Sequence, residues 1–288
     1  MGPALEIHGL SKDYGDFRLK DVSFTVPRGY VCGLIGPNGA GKTTVIRLIL
    51  NLVRRRTGEI RAFGLDNIRD EVAFKSRVGF VHETPRFYEH LSLRRIRDTV
   101  APFYPKWDDA LFERLLREFD LPPVKRFSRL SRGMKTKFAL ALAMSHDADL
   151  LVLDEPTSGL DPVFRRRLLE KLREIIQDEG KAVLFSTHIT SDLERIADTI
   201  TFIRDGGIVF SATRDEVLEK WGVVKGGDEL CEAGTRDLFR GVRKGEFGVQ
   251  ALTDDVAGAR RRLGRDAVIE RASLEDIMFY LAKGNGRA

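Results

Sequence analysis

Val31-Cys32-Gly33-Leu34-Ile35-Gly36-Pro37-Asn38-Gly39-Ala40-Gly41-Lys42-Thr43-Thr44 decides the fold. Val31 to Ile35 is a short apolar run of the length of a buried strand. Gly36 to Thr44 spells G-x-x-x-x-G-K-[ST], a loop that cradles phosphate. Val45 to Val53 is almost continuously apolar, has no Gly or Pro, and predicts a buried helix. Strand, glycine turn and helix N-terminus follow in the order the chemistry needs. Gly36, Gly39 and Gly41 let the backbone turn its N–H groups inward, and the helix dipole adds positive potential there. Lys42 can reach the β- and γ-phosphates, and the Thr43 hydroxyl can hold Mg²⁺. A chance match in a glycine-rich turn would not bring these flanks with it.

The remaining chain sets the limits. Its 288 residues suffice for one large domain, or one domain and a small one. Hydrophobic residues make up 42% and charged residues 32%, which suits a well-cored chain in water. No run approaches the roughly 18 to 20 apolar residues of a membrane span. Met1 to Glu6 lacks a basic start and an apolar stretch, so no signal peptide is expected. Cys32 and Cys231 make no disulfide framework, which points to a reducing compartment, and Cys32 reads as a small core residue. The net charge of +5 comes from basic residues interleaved with acids. There is no aromatic–basic stripe, and no nucleic-acid partner is expected.

Ala4 to His8 and Val22 to Val26 alternate like half-buried strands, with the turn-like Lys12-Asp13-Tyr14-Gly15 between them. Thr57 to Phe63 and Arg77 to Val81 predict further strands. From Thr84 to about Ser145 the pattern is helical and broken by prolines, as in a helical subdomain inserted into an α/β core. Leu150 to Asp154 is apolar up to the pair Asp154-Glu155, so the strand is buried on both faces and delivers two acids to one sheet edge. Pro162 to about Glu179 predicts a helix with Gly180 past its end. Ala182 to Thr187 delivers His188 to the same edge. Thr199 to Ile203 and Ile208 to Phe210 predict a hairpin around Asp205-Gly206-Gly207. Trp221 to Gly227 predicts a domain boundary. Beyond it lie expected strands at Phe247 to Leu252 and Ala267 to Glu270, and expected helices at Asp255 to Leu263 and Ser273 to Ala282. No chemistry is evident in that appendage.

The order of motifs narrows the function. Leu130-Ser131-Arg132-Gly133-Met134, then Asp154-Glu155, then Ser158-Gly159-Leu160-Asp161, then Ser186-Thr187-His188 resembles the ATP-binding subunits of ABC transporters over residues 4 to 220. Ser131 to Lys135 and Phe185 to His188 resemble the bacterial export-type subgroup. The resemblance implies an α/β P-loop NTPase core of ABC type. Its sheet would be mainly parallel, with N-terminal antiparallel strands, a helical subdomain at about 84–145 and a small α+β appendage. The implied domains are 1–221 and 222–288.

It also implies roles. Tyr14 would stack on adenine. Gly36, Pro37, Asn38, Gly39, Ala40, Gly41, Lys42, Thr43 and Thr44 would hold the phosphates. Thr43 and Asp154 would hold Mg²⁺ or its water, and Glu155 would be the general base. His188 would contact the γ-phosphate. Ser131 and Gly133 would bind the γ-phosphate held by a partner subunit, and Asp161 would lie across that interface. Two departures stand out. Arg132 and Met134 replace the family's usual Gly and Gln. Glu83, or His82 if the register shifts by one, stands where the family places a Gln that meets Mg²⁺, the attacking water and the membrane partner.

The implied protein is an ATPase working as a homodimer or as a heterodimer with a related ATPase. It would bind ATP and Mg²⁺ and drive an integral membrane permease from the cytoplasmic face, as an exporter. The helical subdomain and the Glu83 loop would form its docking surface. One rival is a soluble ATPase of the same type acting on ribosomes or nucleic acid. Such chains usually carry two ATPase halves or a long coiled coil, and neither is present. The other rival is a binding module without hydrolysis. It conflicts with Lys42, Asp154, Glu155 and His188 all being in place.

Overall fold

A computed structural model describes residues 2–232, 234–245, 248–264 and 267–283. Met1, Phe247 at the head of an expected strand, and the end of the expected appendage lie outside the described residues.

The chain starts with β1 (Leu5–Asp13), β2 (Arg18–Val26) and β3 (Val31–Ile35), then α1 (Lys42–Ile49). Next come β4 (Thr57–Ala62), β5 (Leu65–Asp66), α2 (Glu71–Ser76) and β6 (Val78–Val81). The helical insert carries α3 (Leu93–Val100), α4 (Asp109–Glu118) and α5 (Arg132–Met144). After it run β7 (Leu150–Asp154), α6 (Pro162–Ile175), β8 (Ala182–Thr187), α7 (Thr190–Ile196), β9 (Thr199–Arg204), β10 (Gly207–Thr213) and α8 (Arg214–Lys220). The last part holds β11 (Gly222–Gly226), β12 (Gly241–Gly245), β13 (Gly248–Thr253), α9 (Val256–Leu263), β14 (Val268–Arg271) and α10 (Leu274–Lys283).

The central sheet has the order β10-β9-β3-β8-β7-β6. Its pairs from β9 to β6 are parallel, and β10 closes the edge antiparallel. Its strands show why continuous apolar runs were needed. Val31, Ile35, Leu151, Leu153, Val183 and Phe185 point into a core shared with α5 and α6. Cys32, Leu34, Leu150, Val152, Ala182 and Leu184 point into a second core shared with α1 and the antiparallel sheet β2-β1-β4-β5. Period two thus splits each strand between two layers. Burial raises the Cys32 thiol above its ordinary value, as expected for a core cysteine.

Several boundaries differ from the sequence expectation. β1 and β2 are longer, and Lys12 and Asp13 belong to β1 rather than to the turn. The first helix begins at Lys42 and stops at Ile49, short of Val53. Asn67 Nδ2 donates to the carbonyls of Leu48 and Ile49, and Asn51 turns the chain at φ 53°. α6 stops at Ile175, short of Glu179, because Asp178 instead accepts the Gly180 N–H in a tight turn. The stretch Trp221 to Gly227, where the sequence predicts a domain boundary, contains a strand that the sequence does not predict, β11. It lies inside the third sheet, β12-β13-β11-β14, with Val223 and Val224 buried. Its glycines and Lys225 hid it.

His146 follows α5 and stacks on Tyr104 with ring centroids 3.9 Å apart. It is 2% exposed, and burial lowers its pKa from 6.5 to about 4. Between those pH values the unfolded chain binds a proton that the folded chain does not. Stability from this group is therefore full above pH 6.5 and falls by up to about 3 kcal/mol as pH drops towards 4. His146→Phe keeps the stack and cannot titrate, so its urea midpoint is expected to fall less over this window. Parallel curves for the two proteins would exclude the effect.

Candidate functional site

Four parallel strands deliver their carboxyl ends to one place, where open α/β sheets bind ligands. β3 leads into the glycine loop, β6 into Glu83, β7 ends on Asp154 and leads into Glu155, and β8 leads into His188. They border a cavity of about 540 Å³ whose walls include Asn38, Gly39, Gly41, Lys42, Thr43, Thr44, Glu83, Glu155 and His188.

The loop geometry explains its glycines individually. Gly41 takes φ 115°, and a Cβ there would lie 3.0 Å from the Phe17 ring. Gly36 has no such φ. A Cβ on it would fall 2.1 Å from the Ile203 carbonyl oxygen, so the close approach of β9 demands glycine. Ala40 is buried, and its carbonyl accepts the Gly206 N–H.

Lys42 donates to the carbonyls of Gly36 at 2.8 Å and Pro37 at 3.3 Å. Its Nζ lies 3.8 Å from Glu155 Oε1, and both side chains are buried. Burial pulls its pKa below the ordinary lysine value, while Glu155, Asp154 and Glu83 push it back up. The loop thus holds a desolvated cation facing three carboxylates, an arrangement that an incoming phosphate can complete.

Glu155 adopts φ 49°, an uncommon left-handed conformation for this residue type. Its Oε2 lies 2.8 Å from His188 Nδ1 and accepts from Thr187 Oγ1 at 3.2 Å and from the His188 N–H at 3.3 Å. Asp154 is fully buried. Ser186 Oγ donates to its Oδ1 at 2.6 Å, while Oδ2 has no hydrogen-bond partner among the described residues. An orphaned buried carboxylate oxygen one residue before Glu155, with the Thr43 hydroxyl on the cavity wall, fits a hard divalent cation held partly by phosphate. The sequence named Ser186 and Thr187 only as part of a motif. Their hydroxyls fix the two carboxylates.

Glu83, not His82, lines the cavity. Its Oε1 lies 3.7 Å from Arg132 Nη2, and the same guanidinium donates to Ser158 Oγ at 3.3 Å. The two departures from the family pattern therefore face each other. Tyr14 is 48% exposed on the β1–β2 loop, with Lys12 Nζ 5.2 Å from its ring centroid. Phe17, which the sequence reading passed over, is the aromatic on the cavity wall.

Ser131, Gly133 and Asp161 do not line the cavity of their own chain. Ser131 caps α5 by accepting the Met134 N–H. A Cβ at Gly133 would lie 3.2 Å from the Gly159 carbonyl oxygen, so the start of α5 and the Ser158–Asp161 loop touch. Asp161 caps α6. The Phe164 N–H, and then Lys137, hold its carboxyl below the ordinary value.

A family model described as "ABC transporter" matches residues 19–158. The bacitracin transport ATP-binding protein of Enterococcus faecalis is 34% identical over 305 residues, covering 100% of this chain and 99% of its own. The lantibiotic transport ATP-binding protein of Streptococcus pyogenes is 35% identical over 219 residues, covering 73% of this chain and 91% of its own. A solved ATP-binding subunit of an ABC transporter superposes with a TM-score of 0.70 at 34% identity, over 75% of this chain and 92% of that one.

Proposed function

Because the chain belongs to the ATP-binding subunits of ABC transporters, we propose that two such subunits close around two ATP molecules. The second subunit is another copy of this chain or a related ATPase. The chain binds and hydrolyses ATP and drives a membrane permease. No helix among the described residues is long and apolar enough to cross a membrane. We take residues 1–221 as the ATP-binding domain and 222–288 as the appendage.

The observation that carries the mechanism is the Asp154–Glu155–His188 cluster facing Lys42. Lys42 leaves its loop carbonyls for the β- and γ-phosphates. Thr43 and Asp154 would hold Mg²⁺, which would supply positive charge to the developing phosphate oxygens. Glu155 accepts the proton of the attacking water, and His188, already bonded to it, keeps water and γ-phosphate in line. Tyr14, exposed at the loop, is the adenine platform, and Phe17 lies against Gly41 on the cavity wall. Magnesium-dependent phosphate release by the purified chain, abolished in Lys42→Ala, tests this. A magnesium-independent rate, or one retained in Lys42→Ala, would overturn it.

The permease docks on the helical subdomain beside Glu83, from the cytoplasmic face. A groove of about 310 Å³ lies there between Phe80, Arg86, Phe87, Tyr104 and His146. Its aromatic walls suit an apolar docking segment. Export is the direction we assign, from the Ser131–Lys135 and Phe185–His188 phrases and from relatives named for bacitracin and lantibiotic transport.

Glu83 couples the two functions. Its ion pair with Arg132 is exposed, so losing it costs at most about 1 kcal/mol. Glu83→Gln is expected to leave the isolated ATPase near its normal rate. Glu83→Ala is expected to lower transport per ATP hydrolysed by more than it weakens ATP binding, read in vesicles carrying the permease. Normal transport by Glu83→Ala would remove the coupling role.

A further inference from the structure

Arg165 and Asp192 form an ion pair that the catalytic assignment leaves unused. Arg165 sits in the first turn of α6, which starts directly after Asp161. Asp192 sits in the first turn of α7, which starts two residues after His188. Arg165 Nε donates to Asp192 Oδ1 at 2.7 Å, and its Nη2 to Ser191 Oγ at 3.2 Å. The Asp192 side chain is 2% exposed. Its Oδ2 is buried and has no hydrogen-bond partner among the described residues.

Stability alone does not account for this pair. A buried carboxylate with one oxygen unsatisfied is costly, and apolar replacements of buried ion pairs are often neutral or better. The two helices already meet through Leu168, Leu172, Leu193 and Ile196, all in one apolar cluster. α7 is braced elsewhere too. Arg173 on α6 donates to the Arg195 carbonyl, and Glu194 accepts the Leu274 N–H at the start of α10 at 3.0 Å. Held in this way, α7 cannot shift without moving Arg165. The pair therefore joins the base of the His188 loop to the base of the Asp161 loop.

We propose that Arg165 and Asp192 are positioning residues that tie the His188 loop to the Asp161 loop, so that one pair orders both the loop at its own chain's ATP and the loop that serves the other site. This inference rests on the two-subunit site proposed above. It assigns neither residue a contact with nucleotide.

The test uses a mixed dimer with a single working site. One chain carries Lys42→Ala and the other Ser131→Arg. The working site takes Lys42 and His188 from the Ser131→Arg chain, and Ser131 and the Asp161 loop from the Lys42→Ala chain. Asp192→Asn, nearly isosteric, is then added to one chain at a time. Placed in either chain, it is expected to lower turnover at the working site by about tenfold, with the KM for ATP within about twofold. Arg165→Lys keeps the charge but gives up one arm of the fork, and is expected to cause a smaller fall from either chain. A structural defect confined to one chain would instead act through dimer yield, which tagged purification measures separately. A fall seen only from the Ser131→Arg chain would mean that the pair serves His188 alone, and would overturn the link. No fall from either chain would also overturn it. With mixed dimers formed and a tandem one-site control active, a silent starting mixture, without Asp192→Asn, would overturn the two-subunit reading itself, and this inference with it.

Discussion

Glu155→Gln is expected to bind ATP as the parent does and to turn it over at least about 10²-fold more slowly. The substitution keeps the shape of the side chain and removes the basic oxygen. Thr187 and the His188 N–H can still donate to the amide oxygen that replaces Oε2. On the proposed reading, binding rests on the loop and on Lys42, neither of which the change touches directly. Removing the negative charge that faces Lys42 at 3.8 Å also frees that cation for phosphate. Trapped before hydrolysis, the variant is expected to accumulate as an ATP-bound dimer on a sizing column. Near-normal turnover would assign the base elsewhere. Loss of ATP binding would make Glu155 a binding residue instead.

The left-handed backbone at Glu155 gives this residue a further constraint. The strain of such a conformation is tolerated where the surroundings over-determine it. Here β7 fixes the residue from behind, its N–H donates to the Ser186 carbonyl, and β8 supplies the donors in front. The carboxylate is therefore fixed in place by the protein alone, and in the proposed role of base this would lower the reorganisation needed in the transition state.

How much of this was legible depends on the range of the interactions involved. Strands β3, β7 and β8 were readable residue by residue, because burial on both faces forces continuous apolar runs. Their carboxyl-end residues were readable because the ligand edge follows from the topology. β11 and β12 were not, since glycines and exposed Lys225, Arg243 and Lys244 mask short strands whose burial comes from pairing with β13. The end of α1 was misread because Asn67, remote in sequence, takes up its last carbonyls. At the site, the loop and the carboxylates carry local signatures. The partners that orient them do not. Nothing near Arg132 in the sequence announces Glu83, and nothing near Arg165 announces Asp192. Those pairings exist only once the helical insert and α7 have packed against the core.

The largest effect is expected from mixing two inactive variants. In one chain neither Ser131 nor Gly133 lines the cavity that holds Lys42, so the start of α5 is free to serve a second subunit. Its N–H groups and dipole suit the far side of a γ-phosphate. Lys42→Ala removes the phosphate cation, and Ser131→Arg blocks the start of α5. Replacing the Ser131 cap also costs about 1 kcal/mol, so thermal unfolding of that variant must first show it folded. Each homodimer carries its lesion at both sites and is expected to be inactive. In the mixed dimer both lesions fall in one site, and the other joins an intact Lys42 to an intact Ser131. ATPase activity is therefore expected to rise from background on mixing, towards one working site in each mixed dimer. Sites built within one chain would all stay damaged, and the mixture would remain at background. Tagged co-purification establishes that mixed dimers form, and a tandem protein with one good site establishes that one site can turn over alone. With both controls positive, background activity in the mixture would rule out the shared site, whereas recovered activity would require that Lys42 and Ser131 act from different chains.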